Sequence, residues 1–191
     1  MGLYRRGVSL VEVRRERPGD GPAVARVVRD AFGDHGATVA RLVGDLRTSD
    51  AWRDLSFVAE ADDHVVGHVL LTRSWLDADR ALVDVLVLSP LAVATAWQGR
   101  GIGGRLVRRA LAATADRHEP LVFLEGSPSY YPRFGFEPAM ARGFRPPSPR
   151  IPPAAFQVLV RERHEPWMTG ALVYADAFWR HDCVGLRTPQ P

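Results

Sequence analysis

Lysine is missing from this chain. All 25 basic residues are arginine, which leaves a formal charge of only +3 against a pI of about 9.6. Such usage reads as base composition rather than as function. The arginines stand singly or in pairs (Arg5-Arg6, Arg14-Arg15, Arg108-Arg109) and form no long basic run. The clustered footprint of a nucleic-acid surface is therefore lacking, and no nucleic-acid partner is expected. Cysteine is nearly absent: Cys183 alone cannot make an internal disulfide, and a lone thiol without a supporting site reads as a bystander. No apolar run reaches the ~18 residues of a membrane span. The amino-terminal stretch has no long apolar core behind its basic residues, so no secretory leader is expected. A cytoplasmic protein without a membrane partner is the default. His68 has no second histidine at metal-ligand spacing, so it reads as structural and no metal is expected.

What is present centres on Leu82 to Leu111. An apolar run ends at Val93, a short polar connection follows, and Gln98-Gly99-Arg100-Gly101-Ile102-Gly103-Gly104 opens an amphipathic helix. Backbone N–H groups at such a start have no intrahelical partner, and with the helix dipole they form a site for phosphate. Arg100 and Arg105, nearest the helix start, would favour an anion.

The rest of the chain reads as support. Its length of 191 residues suggests a single domain, 1–191. Ser9 to Val13 reads as a first strand near an edge. A helix from Pro22 carries Val24, Val27 and Val28, and Thr38 is placed to cap a second. Leu55 to Ala61 and Val65 to Trp75 read as a hairpin turned at Asp62-Asp63-His64. Leu82 to Leu88, apolar except for Asp84, reads as a central strand buried on both faces. Ser89-Pro90 interrupts it before Leu91-Ala92-Val93, because proline removes a ladder donor. That interruption would splay the strand from its neighbour and leave backbone groups free to pair with an extended, amide-containing ligand. Leu121 to Leu124 is a short buried strand ended by Glu125. Ser127-Pro128 reads as a helix start, kept short by Pro132 and Gly135. A proline-rich loop, 145–153, precedes two β-type runs, Phe156 to Val160 and Ala171 to Tyr174.

Two phosphate ligands fit the glycine turn. Gly99, Gly101 and Gly104 have the G-x-G-x-x-G spacing of a dinucleotide site, but that fingerprint belongs at the first turn of a doubly wound fold. Here the turn follows two helices and four strand-like runs. The second reading is more specific. Gln98-Gly99-Arg100-Gly101-Ile102-Gly103 fits Q/R-x-x-G-x-G/A, and Tyr131-Pro132-Arg133-Phe134-Gly135-Phe136 fits Y-x-x-x-G-F. With SPLAV before them and GALVYADAF after, these blocks resemble the GNAT superfamily of acyl-CoA-dependent N-acyltransferases, in a branch of small bacterial members.

The resemblance spans a core of about 9–178, leaving a short C-terminal tail. It implies an α/β (α+β) fold: a mixed, mostly antiparallel sheet of about 6–7 strands with a splayed central pair, flanked by about four helices. It implies acetyl-CoA as acyl donor, with the pyrophosphate on Gln98, Gly99, Arg100, Gly101, Ile102, Gly103 and Gly104. The pantetheine would lie on Leu91, Ala92 and Val93. It implies an amine-bearing acceptor attacked directly in a ternary complex, and it leaves a homodimer open. Tyr131 takes the position of the family's general acid, with Tyr130 beside it as the fallback. No motif names the base; Asp84 and Glu125 are the candidate carboxylates, since a buried carboxylate needs a partner or a raised pKa. The acceptor would meet the loop from Phe32 to Gly36 and a C-terminal hairpin, with Trp75 or Trp167 as walls. A non-catalytic acyl-CoA sensor is the alternative.

Overall fold

The computed structural model describes residues 10–185 and 187, so Ser9 lies outside it. Strand β1 (Glu12–Arg15) leads to helices α1 (Gly21–Phe32) and α2 (Gly36–Arg47). Then come β2 (Leu55–Ala61), β3 (His64–Ala78) and β4 (Leu82–Val93), followed by α3 (Ile102–Ala112) and β5 (Leu121–Glu125). The remaining elements are β6 (Glu137–Pro138), β7 (Phe144–Arg145), β8 (Phe156–Val160), β9 (Gly170–Val173) and α4 (Asp176–Arg180). Among the described residues no helix is long and apolar enough to cross a membrane.

One mixed sheet runs β1-β2-β3-β4-β5-β8-β6, with β9 beside β3 and β7 beside β9. Only β4–β5 and β7–β9 are parallel, as expected for a mostly antiparallel sheet. The hairpin between β2 and β3 turns at Asp62 and Asp63, whose φ values of 48° and 60° match the twist of the flanking strands. The two faces follow from strand alternation. Val85, Val87 and Phe123 face α1, α2 and α4, while Leu86, Leu88 and Val122 face Ile102, Leu106 and Ala110 of α3. Leu106 is wholly buried; its truncation to alanine would cost about 2–5 kcal/mol.

Several expectations shift. α2 begins at Gly36 because the turn over Gly33–His35 runs straight into it, so Thr38 lies inside the first turn and its hydroxyl accepts from Arg41 instead. The segment from Ser127 forms one hydrogen-bonded turn and then a single 3-10 turn, Tyr131–Phe134; the fourth α-helix is α4. β8 and β9 do not form a hairpin. β8 pairs with β5, and β9 pairs with β3 over Trp75–Ala78.

At Ser89-Pro90, where proline belongs at a bulge or a break, β4 bulges. Val69 faces Leu91 and Leu71 faces Leu88, so Ser89 and Pro90 together oppose Leu70 alone. The Ser89-Pro90 peptide is cis. β4 stays on β3 to its end but pairs with β5 only at Leu86↔Val122 and Val87↔Phe123. Beyond that point the central pair is splayed, as expected. The mostly antiparallel sheet, with its glycine turn after the fourth strand, is not the doubly wound frame a dinucleotide site requires.

Candidate active site

Two cavities flank the splay, and neighbouring residues of β4 line them. Leu91 and Val93 line the first, of about 510 Å³, with Gln98, Gly99, Gly101, Ile102, Gly103, Tyr130 and Arg133. Gly99 and Gly101 have φ of 73° and 77°, a left-handed conformation that glycine adopts without steric cost. Those two residues turn the chain into α3. Gln98 N–H bonds to Thr95 O, and Arg105 N–H bonds to Gly101 O. The N–H groups between them, Gly99 to Gly104, have no partner among the described residues. Unpartnered N–H groups at a helix start are an arrangement that can hold an anion.

The strand contributes a second set of free groups. Ala94 N–H bonds to Val66 O, and the register places Ala92 opposite His68. Antiparallel bonding alternates, so the amide groups of Leu91 and Val93 turn away from β3, toward the splay. One of them, Val93 O, accepts from the Gln98 side chain at 3.0 Å.

Ser89 and Pro90 line the second cavity, of about 450 Å³, which also holds Phe32, His35, Glu125, Gly126, Tyr174 and Phe178. Glu125 ends β5 and points in from the α1–α2 side. Burial raises its pKa above the ordinary carboxylate value of 4.5, against opposing pulls from the Tyr174 hydroxyl, Gly185 and Arg150. Tyr174 donates to Glu125 Oε1 at 2.7 Å. The loop after Glu125 is held by Gln157, whose buried amide donates to Gly126 O at 3.1 Å.

Tyr131 lines neither cavity; it is buried between Tyr130, which lines the first, and Gly126, which lines the second. Its ring packs on Gly126 and lies among Tyr130, Phe134 and Phe136. Burial, with Tyr130 beside it, pushes its pKa up to about 12, so it carries its proton at neutral pH. Tyr130 instead reaches the glycine turn: a Cβ on Gly103 would lie 2.9 Å from its hydroxyl.

Comparison with known proteins agrees with this geometry. Residues 52–138 match the model for the acetyltransferase (GNAT) domain. The uncharacterized N-acetyltransferase YjhQ of Escherichia coli (strain K12) is 35% identical over 132 residues, 68% of this chain and 72% of that protein. The chain belongs to the GNAT acetyltransferase family. It is accordingly an acyltransferase. The GNAT protein YhbS from Escherichia coli, solved in complex with CoA, superposes with a TM-score of 0.77 at 30% identity, over 90% of this chain and 93% of that one. A GNAT acetyltransferase from Brucella melitensis, solved in complex with acetyl-CoA, gives 0.70 at 30% identity, over 89% and 99%.

Within this GNAT chain, seven of the residues expected to hold the donor share the first cavity. The other three are not among the residues that line it. The Ala92 side chain is buried in the core on the opposite face of the sheet. Arg100 folds over Trp97 at 4.8 Å, and Gly104 lies beside Phe134 and Arg108. Arg105 is drawn off by Val11, to whose carbonyl it donates at 2.5 Å. The structure separates the two candidate carboxylates. Glu125 lines the second cavity; Asp84 sits near the start of β4, half-exposed, opposite Trp75 and 3.6 Å from Arg73. The first residues of β4 are not buried as the apolar run suggests, and Leu82 is 65% exposed. Trp75 and Trp167 do not line the cavity and are covered by Arg73 and Arg80. Tyr174 and Gln157 escape the sequence reading. Tyr174 lies inside the GALVYADAF block, but only the fold brings it 49 residues back to Glu125.

Proposed function

We propose that the chain is an N-acetyltransferase that moves an acetyl group from acetyl-CoA to a primary amine by direct attack in a ternary complex. The observation that carries this reading is the pairing, across one splayed strand, of an unpartnered helix start with a mostly buried carboxylate. The relatives solved with CoA and acetyl-CoA support the identity of the donor.

In this reading the N–H groups from Gly99 to Gly104 hold the pyrophosphate, and the outward amide groups of Leu91 and Val93 pair with the pantetheine amides. Acetyl-CoA supplies the acyl group: the amine nitrogen forms the new N–C bond, the C–S bond breaks and the electron pair leaves on sulfur. Glu125, held by Tyr174, takes the proton that the ammonium must lose before it can attack, directly or through a water. Tyr131 gives its proton to the departing sulfur; the second proton, which the nitrogen sheds as the amide forms, passes to solvent, and Tyr131 is reprotonated from solvent. A raised pKa makes Glu125 a stronger base than an ordinary carboxylate. Asp84 is too far along β4 to share this work. A cytoplasmic location goes with the reading.

The test is thiol release from acetyl-CoA across a broad panel of amines, beside calorimetric titration with acetyl-CoA. Binding with turnover is expected; the absence of both overturns the proposal. Tight binding with no turnover, unchanged in Tyr131→Phe, makes the protein an acyl-CoA sensor instead.

A further inference from the structure

The second cavity has an unusual balance of charge. Its walls are largely apolar, with Phe32, Leu42, Pro90 and Phe178 among the residues that line it. Two carboxylates reach it, Glu125 and Asp182. Asp182 is already committed to cations, 2.5 Å from Arg187 and 3.7 Å from Arg150. Glu125 takes the Tyr174 hydroxyl as its close partner and makes no direct ion pair among the described residues. Of these two carboxylates, Glu125 therefore remains to meet a cation, in a space with room for a small organic molecule.

Resting on the acetyltransferase reading above, we propose that the acceptor is a primary amine with a single positive charge on an apolar body, aromatic or branched aliphatic. Its ammonium sits at Glu125 and its body fills the space between Phe32, Leu42, Pro90 and Phe178. A polyamine, or a lysine side chain within a basic peptide, would bring further charges against these walls, where no carboxylate is free to pair with them. An unpaired charge taken out of water carries a large desolvation penalty. The apolar body gains from the same walls through removal of its surface from water. The split is thus a consequence of the lining: Glu125 selects for an amine, and its surroundings select against a second cation.

The experiment compares phenethylamine and hexylamine with spermidine and a lysine-containing basic peptide, using the full chain and thiol release. Titration with acetyl-CoA alone runs in parallel. The expected result is a kcat/KM for the two apolar amines at least about tenfold above that for spermidine and the peptide, the scale on which apolar pockets discriminate. Two variants that narrow the cavity, Ala155→Phe and Val39→Phe, are expected to raise KM for phenethylamine about tenfold or more, with acetyl-CoA affinity unchanged. A preference for spermidine or the peptide overturns the assignment, as does an unchanged KM in both folded variants. So does acetyl-CoA binding with no turnover of either apolar amine. Failure to bind acetyl-CoA at all removes the acetyltransferase reading itself and is told apart by the calorimetry.

Discussion

Gly126 lacks a side chain where the ring of Tyr131 lies: a Cβ on Gly126 would stand 2.2 Å from Tyr131 Cε2. The residue after the proposed base thus sets the position of the proposed acid. Backbone bonding from Gly126 N–H to Ala155 O and the Gln157 amide on Gly126 O leave the loop little freedom to yield. The ring must then give way in Gly126→Ala. Its kcat is expected to fall about 10²-fold, the contribution typical of one positioned acid or base, to near the level of Tyr131→Phe. Acetyl-CoA affinity should stay close to wild type in both, since neither residue lines the turn from Gly99 to Gly104. Steady-state kinetics with calorimetry checks this, and an undiminished kcat in Gly126→Ala separates the contact from catalysis.

The Tyr174–Glu125 hydrogen bond makes a signed prediction about pH. Burial raises the Glu125 pKa, and the Tyr174 hydroxyl opposes that by favouring the carboxylate. Removing the hydroxyl in Tyr174→Phe should move the ascending limb of the kcat–pH profile to higher pH. Glu125→Gln should remove the limb and lower kcat. The stability effect has the opposite sense to the activity effect. A carboxyl whose pKa is raised in the fold contributes stability that is present below 4.5 and lost as pH rises through the folded value. Above its folded pKa the charge at Glu125 is therefore a cost, and there Glu125→Gln should melt no lower than wild type while losing activity. A melting scan beside the pH profile tests both signs.

How far the sequence reaches can be judged from the same residues. The glycine turn and its helix were legible because their signal is local: positive φ at Gly99 and Gly101 requires glycine, and Ile102, Leu106 and Ala110 repeat at helical spacing. The splay was legible because Pro90 cannot donate within a sheet. What stayed hidden depends on pairs far apart in the chain. Asp84 and Glu125 look alike in sequence, each a carboxylate at or inside an apolar run. One ends beside Arg73 at the rim of the sheet and the other in a cavity with Tyr174. The placement of β8 and β9 on different strands was hidden for the same reason, since two short runs separated by a loop look like a hairpin whatever partners they find.

The turn itself can be tested without touching a side chain. Alanine at Gly101 must adopt φ near 77°, which costs about 1–2 kcal/mol in the left-handed region. For a chain of this size that lowers the melting temperature by roughly 2–8 °C. If the strain is relieved by rotating the peptide, the N–H groups lose their common aim. The expected result for Gly101→Ala is a rise in acetyl-CoA Kd of about tenfold or more, in line with loss of one or more charge-assisted bonds. Gly103→Ala reaches the same site differently, by pushing the Tyr130 hydroxyl out of its 2.9 Å position. An unchanged Kd in both variants would mean that the anion is held elsewhere.

Away from the site, a buried polar row controls how the fold responds to acid. His68 is wholly buried, with Nε2 at 2.9 Å from Ser56 Oγ; Ser56 also bonds to Glu16, which is paired with Arg47 at 2.6 Å. Burial, the largest influence, lowers the His68 pKa below 6.5, with Glu16 pulling the other way. Glu16 itself is held below 4.5: burial would raise it, but its bonds to His68 and Ser56 and the charge of Arg47 together outweigh that. Both groups bind protons more readily in the unfolded chain than in the fold. Stability therefore rises with pH wherever they titrate. The His68 contribution is complete above 6.5 and is lost as pH falls from there toward its folded value. The Glu16 contribution follows below 4.5. The His68 contribution to the urea midpoint should accordingly decline from pH 7 to pH 5, before Glu16 is titrated. In His68→Leu that early decline should flatten. The variant should still be less stable than wild type at pH 7 by about 1–3 kcal/mol, because Ser56 and Glu16 lose a buried partner. A midpoint that declines as steeply in His68→Leu as in wild type would assign the acid sensitivity to other groups.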